Sequence, residues 1–264
     1  MQFVDTHCHI HFPDYALDPD EVIDEAKKAG VNQLLCVGCT LEDSEAGVEL
    51  AAKYNACWAS IGLHPHEARH YSGDDTKLQQ FRNLVDQPKV VAIGQCGLDY
   101  FYEHSPKEQQ QEIFRYQLTL AQEHGLPLIF HVRGSAEDGQ KGAFDDFLAI
   151  LSDFVGVEGV VHSFSADTRT LDKLLARGLY IGLNGIMTFT KDDEQLAAAK
   201  AVPLDKLLLE TDAPFLTPTP YRGTICQPKH LRVTAEFLSE LRGESLQKLA
   251  NATTQNAQKL FKLI

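Results

Sequence analysis

The segment VVAIGQCGLDY (90–100) starts with a run that is apolar on both faces and ends in residues able to do chemistry. Residues 90–93 show no apolar–polar alternation, so a strand there is covered on both sides, as in a parallel sheet beneath helices. KLLLE (206–210) reads the same way. Outward from these two, strands are predicted at 2–6, 32–37, 57–62, 90–94, 127–131, 158–162, 179–183 and 206–210. Amphipathic stretches between them predict helices at 19–29, 41–54, 75–86, 106–124, 142–152, 168–177, 193–201 and 229–242, and a last helix at 244–261. Eight strand–helix units in about 240 residues favour a closed (β/α)8 TIM barrel over an open doubly wound sheet. No GxGxxG follows a strand, which removes the dinucleotide-binding alternative. The expectation is an α/β chain forming a single domain over 1–264.

Local signals mark some boundaries. SPKE (105–108) reads as a capping box, with Ser105 at the N-cap, Pro106 at N1 and Glu108 at N3. Asp167 suits an N-cap, and Gly178 a C-terminal stop. In the last helix Leu246, Leu249, Ala250, Thr253, Ala257, Leu260 and Phe261 recur at helical spacing.

Composition excludes several classes. The net charge of −13 argues against a protein that tracks along duplex nucleic acid, which needs a basic surface. Any nucleic acid must be held locally, through metals and a few Lys or Arg. No apolar run approaches the ~20 residues of a membrane helix. The N-terminus MQFVDTHCHIHF lacks the features of a secretory signal. A cytoplasmic monomer is expected. The six cysteines include a CxxC pair, Cys36 and Cys39, with no second pair to complete a zinc site. Both are read as cysteines near the end of a buried strand.

The polar residues cluster where strands end: DTHCH (5–9), GLHPH (62–66), GQCGLDY (94–100), HVR (131–133), HSFS (162–165) and ETDAP (210–214). In a (β/α)8 barrel these ends share one mouth, where active sites are built. His7 and His9, two apart on a strand, place their imidazoles on one face, and Cys8 points the other way. With His131, His162 and Asp212 converging there, a divalent metal site is expected. Imidazole with carboxylate suits Zn, Mn, Fe or Ni without choosing among them. Of Glu210 and Asp212, one can bind metal while the other holds a ligand histidine. A carboxylate here can also take a proton from an attacking water. His64 ends the third strand and is read as a substrate contact; His66 is read as a loop residue. Arg133 is read as a phosphate clamp or a salt-bridge partner. Arg222, in the Pro-rich rim segment TPTPYRGT (217–224), is read as a substrate-facing charge. His11, His70, His104, His124 and His230 are read as surface or structural.

Taken in order, DTHCH, GLHPH, GLDY, the His131 strand, HSFS and ETDAP resemble the TatD family of metal-dependent deoxyribonucleases, from Asp5 to about Pro228. The resemblance implies an amidohydrolase-like barrel with one or two divalent ions (Mg, Mn, Zn, Ni or Fe). It implies hydrolysis of DNA phosphodiesters, with 3′-5′ exonuclease action on single-stranded ends as the leading expectation. Some members are linked to other substrates, including aminoacyl-tRNA esters. By resemblance, His7, His9 and Asp212 hold one metal, and His131 and His162 the other. The family's bridging glutamate, in GExGLDY, falls at Gln95, which takes that metal position here. RGTICQP puts Cys226 where the family has Asn, and HSFSA puts Ala166 where it has Gly. Two divalent ions about 4 Å apart repel by about 16 kcal/mol at an effective dielectric near ~20. A bridging carboxylate offsets much of that and a neutral amide does not, so weaker occupancy of the His131/His162 site is expected. Asp99 and Glu103 lie nearby in sequence, without a placed role. The rival expectations are an ester or amide hydrolase using the same site, and a degenerate barrel that binds metal but turns over poorly.

Overall fold

A computed structural model describes residues 1–134 and 141–263. Eight parallel strands follow one another around a sheet in chain order. They are β1 (Phe3–Cys8), β2 (Val31–Val37), β3 (Cys57–Ile61), β4 (Val90–Asp99), β5 (Leu128–Arg133), β6 (Gly159–Val161), β7 (Tyr180–Leu183) and β8 (Leu207–Leu209). The helices between them are α1 (Pro19–Lys28), α2 (Leu41–Lys53), α3 (Asp75–Arg82), α4 (Lys107–His124), α5 (Lys141–Ser152), α6 (Thr168–Ala176) and α7 (Asp193–Ala201). After β8 come α8 (Leu231–Arg242) and α9 (Leu246–Phe261). The expected (β/α)8 barrel is the observed fold.

The ring closes between β1 and the chain leaving β8. Thr6 Oγ1 donates to Leu209 O at 3.0 Å, and Asp212 N donates to His7 O at 2.8 Å. Asp5 fastens the same seam from below: its carboxylate accepts from Thr211 N (2.9 Å) and Thr211 Oγ1 (2.6 Å). Asp5 is fully buried, and that burial pushes its carboxyl up to about 7.

Two apolar layers hold the barrel. One lies between strands and helices, with Phe114, Phe130 and Phe147 in mutual ring contact. The other gathers Val4, Leu35, Val91, Ile129, Val160, Tyr180 and Leu208 from the strands. The end of α9, with Leu260 and Phe261, packs onto it and so covers the barrel at the ends of the strands away from the mouth. Truncating a buried Phe of this kind costs about 3–5 kcal/mol.

Most predicted boundaries hold within a residue or two; α3 stops at Arg82, four residues short of the predicted 86, and two other features differ for physical reasons. β4 does not stop at Gly94: it pairs with β5 through Cys96, Gly97, Leu98 and Asp99. Gly97 permits this with φ +139°, where a Cβ would run into His131 O. The capping box at Ser105 does not form. The helix starts at Lys107 with Pro106 at its N-cap and no side-chain cap. Ser105 Oγ instead donates to His66 O at 2.6 Å and accepts from Arg69 N at 3.0 Å, tying down the turn after β3. The caps at Asp167, which accepts from Thr170 N at 2.8 Å, and the stop at Gly178, with φ +78°, are as expected. Among the described residues no helix is long and apolar enough to cross a membrane.

Candidate active site

The strand ends open into a cavity of about 740 Å³. His9, His64, Gln95, Arg133, His162 and Asp212 line it, as expected, and His131 does too. His7 lies fully buried beneath, stacked on His162 with ring centroids 3.5 Å apart.

The side built from β1 and β8 is a converging set of donors. His7 Nε2 and His9 Nε2 stand 3.1 Å apart, and Asp212 Oδ1 is 3.6 and 3.4 Å from them. His9 Nδ1 donates to Val37 O at 2.7 Å, which turns the Nε2 lone pair into the cavity. Asp212 reaches the set from a left-handed backbone (φ +62°), a conformation rare for a non-glycine residue and held here by its bond to His7 O. The electrostatics suit a cation. Burial, with His162 and His9 nearby, keeps His7 neutral and well below its usual range. Burial opposes charge on His9, but Cys39 and Asp212 carry it well above. Where a proton is favoured among neutral imidazoles and a carboxylate, so is a metal ion. These three residues fit one.

Glu210 is not part of that set. It is fully buried, with Oε1 2.9 Å from His162 Nδ1 and accepting from Ser163 N at 2.6 Å. This orients His162, whose Nε2 lies 3.8 Å from Asp212 Oδ1. Burial alone lowers His162; Glu210 and Asp212 together raise it.

The side built from β4 and β5 is a hydrogen-bonded chain. Cys39 Sγ donates to Gln95 Oε1 at 3.5 Å, and Gln95 Nε2 lies 3.0 Å from His131 Nδ1. His131 Nε2 is 2.9 Å from Asp99 Oδ2, so Nε2–H donates to the carboxylate and Nδ1 accepts from the amide. The lone pair a metal needs is therefore capped. The residues on this side do not fit a second ion.

Asp99 proves to be a hub. His66 Nε2 also lies 3.0 Å from its Oδ2. Burial pushes its carboxyl up, but the bonds from His131 and His66 outweigh this and hold it well below the usual carboxylate range. His66 is thus a cavity residue, not the free loop residue its position suggested. The turn from Pro65 to His70 folds it back, and His64 Nδ1 accepts from His66 N at 3.2 Å. Burial, with His131 beside it, keeps His64 neutral. His104 packs edge-on against His66 and stacks on Tyr102.

The structure places the other singled-out residues too. Arg133 makes no ion pair among the described residues; its guanidinium lies 4.3 Å from the Phe101 ring centre and 4.8 Å from that of Tyr102. Arg222 stays on the exposed rim, donating to Thr217 O at 2.8 Å and stacking 3.9 Å over Phe189, and does not line the cavity. Glu103 pairs with Lys107 at 3.2 Å, away from the site. Cys36 is buried in β2, whereas Cys39 emerges from the strand end into the cavity wall. Cys226 and Ala166 are buried and do not line the cavity. The sequence signals for Asp99, His66 and Cys39 were their places in GLDY, GLHPH and CxxC.

Comparison with known proteins agrees with this fold. The sequence profile described as TatD related DNase matches residues 4–262. An uncharacterized metal-dependent hydrolase, YabD of Bacillus subtilis, is 35% identical over 98% of each chain. The 3'-5' ssDNA/RNA exonuclease TatD of Erwinia tasmaniensis is 35% identical, covering 94% of this chain and 95% of that one. Among solved structures, the TatD homologue YJJV of Escherichia coli K12 superposes with a TM-score of 0.88 at 31% identity over 98% of each chain. The chain belongs to the TatD related DNase family.

Proposed function

We propose that this protein is a metal-dependent hydrolase that cleaves phosphodiester bonds at single-stranded DNA ends in the 3′-5′ direction. The observation that carries this reading is the convergence of His7 Nε2, His9 Nε2 and Asp212 Oδ1 at the floor of a cavity that also presents Arg133. The names of its relatives, metal-dependent hydrolase and ssDNA/RNA exonuclease, support it.

His7, His9 and Asp212 would hold a divalent ion, which would supply Lewis acidity towards a phosphoryl oxygen and an attacking water. Asp212, at the same point, orients that water and receives its proton. Glu210 positions His162 beside it. His64, neutral and with Nδ1 occupied by His66 N, offers its Nε2–H to a phosphate oxygen. Arg133 meets a phosphate from its aromatic shelf.

Two features favour a single-stranded end. A cavity of about 740 Å³ has the scale of a small-molecule site, enough for a terminal nucleotide and not for a duplex tract. Tyr102 (49% exposed) and Phe215 (52% exposed) stand on its walls, where unpaired bases can stack.

The test is degradation of 3′-labelled single-stranded DNA, beside duplex DNA and an aminoacyl ester, with and without chelator. Chelator-sensitive loss of nucleotides from the single strand is expected. Chelator-insensitive cleavage contradicts the mechanism. Ester turnover without DNA cleavage contradicts the substrate, and inertness towards all three leaves a metal-binding barrel without catalysis.

A further inference from the structure

The exposed large apolar side chains are not scattered. Among the described residues most of them stand on the loops after β4 and β8, Phe101 and Tyr102 on one and Phe215, Tyr221 and Ile225 on the other. Exposed apolar surface gathered beside a cavity marks a binding surface. The two loops differ in what they face. Phe215 lines the cavity with its ring centre 6.3 Å from that of His9, so it faces the donor triad. Tyr102 and Arg133 line the wall built from β4 and β5, and Phe101 stands beside them without lining the cavity.

Phe101, Tyr102 and Arg133 form one surface. The two rings meet edge to face with centres 4.8 Å apart, and the guanidinium lies 4.3 and 4.8 Å from those centres. His104 lies nearly parallel to Tyr102 at 5.6 Å. Asp99 fixes this shelf to the cavity. Its Oδ1 accepts from Phe101 N at 3.0 Å and Tyr102 N at 2.9 Å, while Oδ2 holds His131 and His66. Nearly half of each ring is nonetheless open to solvent. A guanidinium held by aromatic rings keeps its charge and its N–H donors for a phosphate. No ion pair among the described residues answers that charge. A place for a base and a place for a phosphate therefore lie side by side.

We propose, on the single-strand exonuclease reading, that Phe101, Tyr102 and Arg133 form a second nucleotide subsite, which stacks the base of the penultimate nucleotide while the terminal nucleotide occupies the cavity beside Phe215. The terminal nucleotide leaves with the cut, so its place can be enclosed. The penultimate one stays with the strand, so its place opens outward, as the shelf does at Phe101. Recognition is by ring face and tolerates any base. A base stacked within a duplex has no free face to offer, so the subsite also selects unpaired ends.

The experiment is a double-mutant cycle between protein and substrate. In Mn²⁺, kcat/KM is measured for removal of the 3′-terminal nucleotide from a short thymidine oligonucleotide. The oligonucleotide is intact, or carries an abasic residue at the penultimate or the third position from the 3′ end. The enzymes are the full-length wild type and Phe101→Ala. Loss of the penultimate base lowers the wild-type rate by about tenfold, the scale of one stacked base. Phe101→Ala lowers the rate on the intact oligonucleotide to a similar extent, and the two losses do not multiply when combined. Loss of the third base costs less than about twofold and multiplies with Phe101→Ala. Phe101→Trp, which keeps a ring, retains the wild-type sensitivity to the penultimate base. Thermal unfolding at the wild-type temperature shows that Phe101→Ala is folded; Phe101→Leu, which fills the space without a ring, replaces it if alanine perturbs the loop. Losses that multiply at the penultimate position overturn the subsite, as does a wild type indifferent to the missing base. Coupling at the third position overturns the assignment to the penultimate nucleotide. Each of these leaves the exonuclease reading standing. Absence of chelator-sensitive cleavage of the intact oligonucleotide overturns that reading and the subsite with it.

Discussion

The two sides of the cavity are built from similar residues and behave differently. On the β1/β8 side, two imidazole nitrogens and a carboxylate oxygen converge on one point, and no amide caps either nitrogen. On the β4/β5 side, the imidazole of His131 is satisfied at both nitrogens, by Gln95 and by Asp99. One atom in the sequence separates the two outcomes: an amide nitrogen stands at Gln95 where a carboxylate has an oxygen. An imidazole becomes a ligand only if its outward nitrogen is left without a hydrogen-bond donor, so histidine count alone does not count metals.

The comparison can be broken most severely on the β1/β8 side. Asp212→Asn removes the charge that draws the ion and the acceptor for the water's proton. A fall of about 1000-fold or more in kcat/KM on single-stranded DNA is expected, with loss of bound metal. A variant retaining most of its activity places the chemistry elsewhere. The reverse change belongs to the other side. Gln95→Glu frees His131 Nδ1 and restores a bridging charge, so bound metal rises from one ion to two and cleavage speeds up by about 10- to 100-fold. Metal counting beside the rate assay checks it; an unchanged count shows that the amide is not what separates the two sides.

Smaller effects sharpen the picture. Glu210→Gln loosens His162 without touching the triad, and kcat/KM should fall by about tenfold with the metal count unchanged. A loss of metal would move Glu210 into the ligand set. Arg133→Ala should raise KM for an oligonucleotide about fivefold and leave kcat alone. Its log–log salt slope should shrink by about 0.7, the contribution of one phosphate on a single strand. An unchanged slope would confine Arg133 to packing on Phe101 and Tyr102.

Much of this was legible in the sequence because the barrel repeats one physical rule. Strands covered on both faces read as apolar runs, and their C-terminal ends carry the polar exceptions, so His7, His9, His131, His162 and Asp212 could be placed at one mouth without coordinates. What stayed hidden depends on geometry that spacing does not encode. β4 runs on to Asp99 because Gly97 adopts a left-handed conformation, and a period-of-two reading stops before it. His66 joins the cavity because a turn folds it onto Asp99. Ser105 looked like a helix cap and spends its hydroxyl on the His66 turn instead. Arg222 looked substrate-facing because its loop follows β8, yet a carbonyl and a ring hold it on the rim. Cys39 is the opposite case: it looked like an ordinary strand-end cysteine and lies in the cavity wall.

The most direct test of the difference between the two sides is anomalous scattering from crystals of the wild-type protein loaded with Zn²⁺ or Mn²⁺. One peak among His7, His9 and Asp212, with none between His131 and His162, is the predicted result. Two peaks of comparable occupancy would contradict it, because Gln95 would then have failed to cap His131.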